Sequence, residues 1–179
     1  VSLAMSGKFS VEAIDELYAG INAACETYKV DLVGGDTTSS VTGLVISVTA
    51  IGIADKDQLV YRSGAQNNDI ICATGNLGAA YMGLQLLERE KEVFKTNPKV
   101  QPQFMGKDYV LQRILKPEAR LDIIEKLNEL DIKPTSMMDI SDGLSSELIH
   151  ICKQSDAGCR VYIEKIPIHD NTSETAKEM

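Results

Sequence analysis

Histidine is almost missing: the 179 residues contain two, His150 and His169. A His-rich metal centre is thereby excluded, and His150 has no recognisable nucleophile partner, so acyl-transfer chemistry has little support. Cysteine is scarce as well. Cys25, Cys72, Cys152 and Cys159 form no Cys-x-x-Cys pair, so neither a zinc site nor a disulfide framework is indicated. Three of them sit in apolar surroundings and read as free thiols used as small packing groups. No apolar run reaches the ~20 residues of a membrane-spanning helix, and no signal peptide opens the chain, which points to the cytoplasm. Basic residues are outnumbered, 18 against 26 acidic, leaving a formal charge of -8 and no basic stripe. On average such a chain repels nucleic acid and anionic membrane. To bind an anion such as a nucleotide, it needs a local device that overcomes that charge.

What is present suits a folded, core-forming chain: 44% of residues are apolar and 25% charged. The opening at Val1 lacks an initiator Met, and Met179 closes a charged, helical-looking stretch, so the chain reads as a fragment. From Ser10, a plausible N-cap, apolar residues recur at helical spacing through Val11, Ile14, Leu17, Tyr18, Ile21 and Cys25 to Tyr28. Residues 30–33 read as a strand running into Gly34-Gly35, and 44–54 as a long strand rich in Val, Ile and Thr. A polar run at 55–58 breaks the pattern and divides the chain into domains 1–56 and 57–179. Beyond it, 69–74, 135–141 and 159–168 read as strands. Residues 79–92, 118–130 and 143–154 read as helices, and 95–106 as irregular. Mixed throughout, these elements give an α/β or α+β class.

Two runs carry most of the chemistry. In Gly34-Gly35-Asp36-Thr37-Thr38 the glycines allow bare amides to approach a phosphate, and Asp36 offers a hard oxygen suited to Mg²⁺. The same run also reads as an ordinary turn with a side-chain bond from its Asp. In Asp139-Ile140-Ser141-Asp142-Gly143-Leu144, strand alternation puts Asp139 and Ser141 on one face and Ile140 into the core. Asp142 then opens a helix whose first amides attract anions. Two carboxylates so placed repel each other unless a cation holds them. Simple capping of the helix by Ser141 or Asp142 is the plainer alternative. Arg62-Ser63-Gly64-Ala65, at the boundary, supplies a guanidinium able to fork onto a phosphate, though a surface ion pair is its commoner fate. Gly75-Asn76-Leu77-Gly78 looks like a phosphate loop but lacks a P-loop ending, which favours close backbone packing. Residues 88–92 read as a solvated helix face, and Met137-Met138 as core.

Taken together, and in this order, Val33-Gly34-Gly35-Asp36-Thr37-Thr38, Arg62-Ser63-Gly64-Ala65, Thr74-Gly75-Asn76-Leu77-Gly78 and Asp139-Ile140-Ser141-Asp142-Gly143-Leu144 resemble the thiamine-monophosphate kinase family. Asp15-Glu16-Leu17-Tyr18-Ala19-Gly20-Ile21 and Ile166-Pro167-Ile168 fit as well. The resemblance implies the two-domain fold of the aminoimidazole ribonucleotide synthetase superfamily, with part of the N-terminal ATP-binding and dimerisation domain and most of the C-terminal one. It implies transfer of the γ-phosphoryl of ATP to thiamine monophosphate, with several Mg²⁺ ions, in a homodimer. Carried over residue by residue, Tyr18, Gly35, Asp36, Arg62 and Ser141 resemble ATP contacts, and Asp36, Asp139 and Asp142 resemble Mg²⁺ ligands. No side chain is implied as a general base, since the accepting phosphate oxygen is already ionised. The family's earlier Gly-Asp-Asp-Ala motif and later Gly-Gly-Glu-Asp-Tyr-Glu-Leu stretch are absent from these residues, so the chain alone is expected to be inactive or nearly so. Two alternatives keep their place. One is a related ATP-using enzyme of the hydrogenase-maturation or selenophosphate-synthetase type, although the Cys elements those relatives depend on are absent. The other is a non-catalytic module that binds Mg²⁺ or nucleotide, or only dimerises.

Overall fold

A computed structural model describes residues 1–179. The chain divides into two compact units, Val1–Asp57 and Gln58–Met179.

Unit 1 is built on a small sheet. Strand β1 (Ser2–Met5) is central, flanked by β2 (Asp36–Ser39) in parallel and β3 (Val45–Ser47) antiparallel. The register pairs Ser2 with Asp36 and Met5 with Ser39 on one side, and Leu3 with Ile46 on the other. Helix α1 (Val11–Tyr28) joins β1 to β2, because a parallel pair needs a crossover. Ser10 caps it, its hydroxyl accepting the Ala13 amide at 3.2 Å, a bond that contributes about 1 kcal/mol. Lys29, left-handed at φ 55°, ends it.

Unit 2 is helical: α2 (Ala79–Thr96), α3 (Asp108–Leu115), α4 (Leu121–Glu129), α5 (Leu144–Ser155) and α6 (Asp170–Glu178). On α2 the buried positions are Ala79, Gly83, Leu86 and Glu90, spaced four, three and four apart, so one stripe faces inward. Ala79, Leu86 and Val110 form the core, with Met82, Phe104, Tyr109 and Leu111 against it. A Cβ on Gly83 would come within 2.3 Å of the Val110 carbonyl oxygen, so only glycine lets α2 and α3 approach this closely.

Several expectations fail for one reason. A strand needs a main-chain partner, and composition supplies only one side of the pair. Residues 30–33 are irregular, and the strand begins after the glycines, at Asp36, where β1 provides the ladder. Of 44–54, only Val45–Ser47 finds a partner. Residues 69–74, 135–141 and 159–168 make isolated main-chain bonds but join no ladder, and the last contains a 3-10 turn at Ile163–Lys165. The helical expectations fare better, although α2 runs on to Thr96 and α3 has no sequence forecast.

Burial brings further corrections. Ile140 and Met137 are exposed rather than core. On α4 the apolar residues Leu121 and Ile124 are also exposed, as is Leu130 just beyond its end. Glu90 is buried, not solvated: it takes the Gln103 amide at 2.9 Å and the Arg89 guanidinium. All four cysteines are free thiols, and Cys72 and Cys159 are exposed, so packing is no account of those two.

Candidate functional site

The expected residues fall into two groups, one in each unit. In unit 1, an open cleft of ≈ 450 Å³ is lined by Tyr18, Leu32, Val33, Gly34, Gly35, Asp36 and Thr37. Tyr18 comes from the middle of α1, while Gly35 and Asp36 stand where the irregular 30–35 segment enters β2. A Cβ on Gly35 would lie 1.7 Å from the Val1 carbonyl oxygen, so this position is open to glycine only. Asp36 pairs through its main chain with Ser2, and its carboxylate is exposed and has no protein partner. Tyr18, Gly35 and Asp36 are thus brought to one surface. Leu32 and Val33, read from the sequence as strand residues without a site role, add apolar lining to that cleft.

In unit 2 the Arg62 stretch is fastened to the segment that leads to Asp139. The Met137 amide donates to the Tyr61 carbonyl at 2.9 Å, and the Ser136 hydroxyl donates to the Arg62 carbonyl at 2.7 Å. Ser155 accepts the amides of Gly64 and Ala65 at 3.2 and 3.1 Å. Asp69 accepts the Thr135 hydroxyl at 2.6 Å and the Gln66 amide at 2.7 Å. Those bonds, the Thr135 hydroxyl first, hold the Asp69 carboxyl below its usual range. The Arg62 guanidinium is exposed and has no ion-pair partner, which leaves its donors open to an anion.

The 139–143 loop departs from the capping alternative. The N-cap of α5 is Gly143, at φ 124°, with no side-chain cap bond, so neither Ser141 nor Asp142 caps the helix. At that φ a side chain would be strained, which explains glycine at the junction. Glu147, one turn into α5, reaches back instead. Its Oε1 accepts the Asp142 amide at 3.0 Å, the Ser141 amide at 3.3 Å and the Ser141 hydroxyl at 3.4 Å. The Asp142 amide is the main reason its carboxyl sits below the ordinary range. The carboxylates of Asp139 and Asp142 are exposed and make no hydrogen bond or ion pair. The three expected cation ligands are therefore divided, Asp36 on unit 1 and the other two on unit 2. Neither unit by itself gathers three or more His, Cys, Asp or Glu side chains into a cage.

Gly75-Asn76-Leu77-Gly78 is a packing loop. The Leu77 amide bonds the Pro167 carbonyl at 2.8 Å, and Gly78 lies against the Thr172 methyl. Sequence reasoning missed Asp69, Ser155 and Glu147. Only Glu147 left a signal: an acidic residue in the first turn of a helix that follows Asp-Gly.

Comparison with known proteins gives the arrangement its context. A model described as AIR synthase related protein, N-terminal domain, matches residues 1–54. A Bacillus subtilis thiamine-monophosphate kinase is 37% identical over 171 residues, 96% of this chain and 50% of that protein. The Aquifex aeolicus protein of the same name is 32% identical over 168 residues, 94% of this chain and 50% of its own. Over most of its length the chain is thus similar to thiamine-monophosphate kinases. A solved structure described as AaThiL complexed with AMPPCP and TMP superposes with a TM-score of 0.76 at 27% identity, covering 99% of this chain and 52% of that one. A second, the Aquifex aeolicus thiamine monophosphate kinase, gives 0.75 at 26% identity. The kinase-family match covers the α+β fold across both units, yet this chain spans about half the length of the curated relatives it matches.

Proposed function

We propose that this chain supplies the nucleotide cleft and one cation-binding loop of an enzyme that uses ATP to phosphorylate thiamine monophosphate to thiamine diphosphate. The observation that carries this reading is the unit 1 cleft, where Tyr18, Gly35 and Asp36 meet although α1 and β2 are separate elements. Gly35 lets bare main chain approach a phosphate, and Tyr18 offers a ring for the nucleotide. Arg62 forks onto phosphate oxygens, and Ser141 donates to them when its hydroxyl turns away from Glu147 Oε1. A related structure described as complexed with AMPPCP and TMP supports the ligand pair.

Mg²⁺ suits the residues present. Asp36, Asp139 and Asp142 are exposed carboxylates without protein partners, the hard oxygen donors that this ion prefers. Bound there, Mg²⁺ would neutralise phosphate charge and bring a nucleotide to a chain of net charge -8. The residues themselves align the two phosphates and screen their mutual repulsion, and no general base is needed because the acceptor oxygen is ionised at neutral pH. In this reading unit 1 is the C-terminal part of an ATP-binding and dimerisation domain, and unit 2 is an incomplete C-terminal domain. The protein works as a cytoplasmic homodimer. Val45, Val48, Ile51 and Ile53, all exposed, are apolar surface that a second copy would cover.

Asp36→Ala tests the reading in the protein that carries this chain. Turnover of ATP with thiamine monophosphate should fall on the order of a hundredfold or more, the size of effect seen when a preorganised charge stabiliser is lost. Near-normal turnover would overturn the assignment of Asp36. ADP release that ignores thiamine monophosphate would point to a different acceptor.

A further inference from the structure

Glu147 is 3% exposed, yet only half of its carboxylate is engaged. Oε1 takes the amides of Ser141 and Asp142 and the Ser141 hydroxyl, while Oε2 is buried with no partner. A carboxylate at a helix start normally lies in water, where capping costs it no solvation; burying one is costly unless its charge is used. Packing alone does not account for it, since glutamine has the same shape and offers an acceptor oxygen to both amides. The neighbouring geometry shows what a charge is for. The Glu147 amide donates to the Gly143 carbonyl at 3.2 Å, so the main-chain bonds of 141–143 all run to this one residue. Asp139 and Asp142, the two carboxylates on that loop, have no partner of their own, so only the main chain restrains them.

We infer that Glu147 is a positioning residue: by charge-assisted bonds to the Ser141 and Asp142 amides it sets the loop from which Asp139 and Asp142 bind a divalent cation. Charge-assisted bonds are shorter and stronger than neutral ones, which suits a loop that must present two repelling carboxylates in a defined geometry. The buried negative charge behind the loop also adds to the field that draws a cation. This inference rests on the phosphoryl-transfer reading for its purpose, but its test does not depend on turnover.

Three variants separate the contributions. Glu147→Gln keeps shape and one acceptor, Glu147→Asp keeps charge at shorter reach, and Glu147→Ala keeps neither. Mn²⁺ binding to this chain, followed by electron paramagnetic resonance, and amide exchange at residues 141 and 142 are the readings. Glu147→Ala should weaken Mn²⁺ by about tenfold or more, as for loss of a group that orients metal ligands. Exchange at both amides should quicken by a similar factor while helix α2 stays protected. Glu147→Gln should fall between Ala and the parent, and Glu147→Asp should recover part of the Mn²⁺ affinity. If Glu147→Ala does not fold, the Gln variant decides on the same two readings. Parent-like Mn²⁺ affinity and amide protection in the folded Gln variant would overturn the inference, and so would a parent chain that takes up no Mn²⁺. In the protein that carries this chain, the Mg²⁺ needed for half-maximal ADP formation should rise in Glu147→Gln while the KM for thiamine monophosphate holds. No turnover in the parent protein would instead sink the kinase reading, leaving Mn²⁺ binding and exchange to judge Glu147.

Discussion

The two units hold their candidate residues by different means. Unit 1 has a single fully buried apolar side chain, Leu3, at 1% exposure, and its cleft is shaped by main chain: a short ladder, two glycines and the entry into β2. Unit 2 has a packed core at Ala79, Leu86 and Val110, and its loops are fastened by side chains, Asp69, Ser155 and Glu147. A site made of main chain tolerates many side-chain changes but no added Cβ at its closest point. A site fastened by carboxylates tolerates backbone variation but depends on charge.

That contrast can be broken by experiment. Leu86→Ala should have the largest effect, costing unit 2 about 2–5 kcal/mol through lost burial and the cavity left behind. Amide exchange should show α2 and α3 losing protection while β1 keeps it. Equal loss in both units would mean that they do not fold separately. Gly35→Ala should cost unit 1 about 2–3 kcal/mol, since the new Cβ has main chain within 1.7 Å and something must shift. The signature is loss of protection along β1 and β2, together with loss of nucleotide binding measured by calorimetry.

Acid should separate the units further. In unit 2, the Gln103 amide holds the buried Glu90 carboxyl low, and the Asp142 amide does the same for Glu147. Unit 1 has only Glu12, lowered chiefly by its own amide. A carboxyl depressed in the folded state contributes stability that is fully present above its unfolded value, about 4.3 for Glu, and is lost as pH falls through the folded value. Thermal unfolding followed against pH should therefore be flat near neutrality, then show unit 2 weakening first below about pH 4. A simultaneous fall would remove the distinction. The smallest effect belongs to Lys91→Ala, which breaks an exposed pair with Glu88 at 3.0 Å. Its midpoint in urea should move by less than about 0.5 kcal/mol equivalent.

Helices α1, α2, α4 and α5 were legible in the sequence because helical bonds are local and apolar spacing records them. Ser10 as a cap is equally local. Strands were misread wherever a convincing run, such as 69–74, lacked a partner, and β1 was overlooked because nothing in Ser2–Met5 announces the two neighbours it acquires. Among candidate site residues, Tyr18, Gly35, Asp36, Arg62, Ser141, Asp139 and Asp142 were named through the family resemblance. Asp69 and Ser155 could not, since their partners Thr135 and Gly64 lie 66 and 91 residues away.

Residue types and their order along the chain were enough to determine helices α1, α2, α4 and α5, the acidic and glycine motifs, and the family those motifs resemble. Tertiary structure alone decided which extended segments became strands, which apolar residues were buried, and that a helix glutamate would grip the loop ahead of it. The physical reason is range. Helical periodicity and turn chemistry act between residues a few positions apart, whereas ladders, cores and buried charges exist only once distant segments have met.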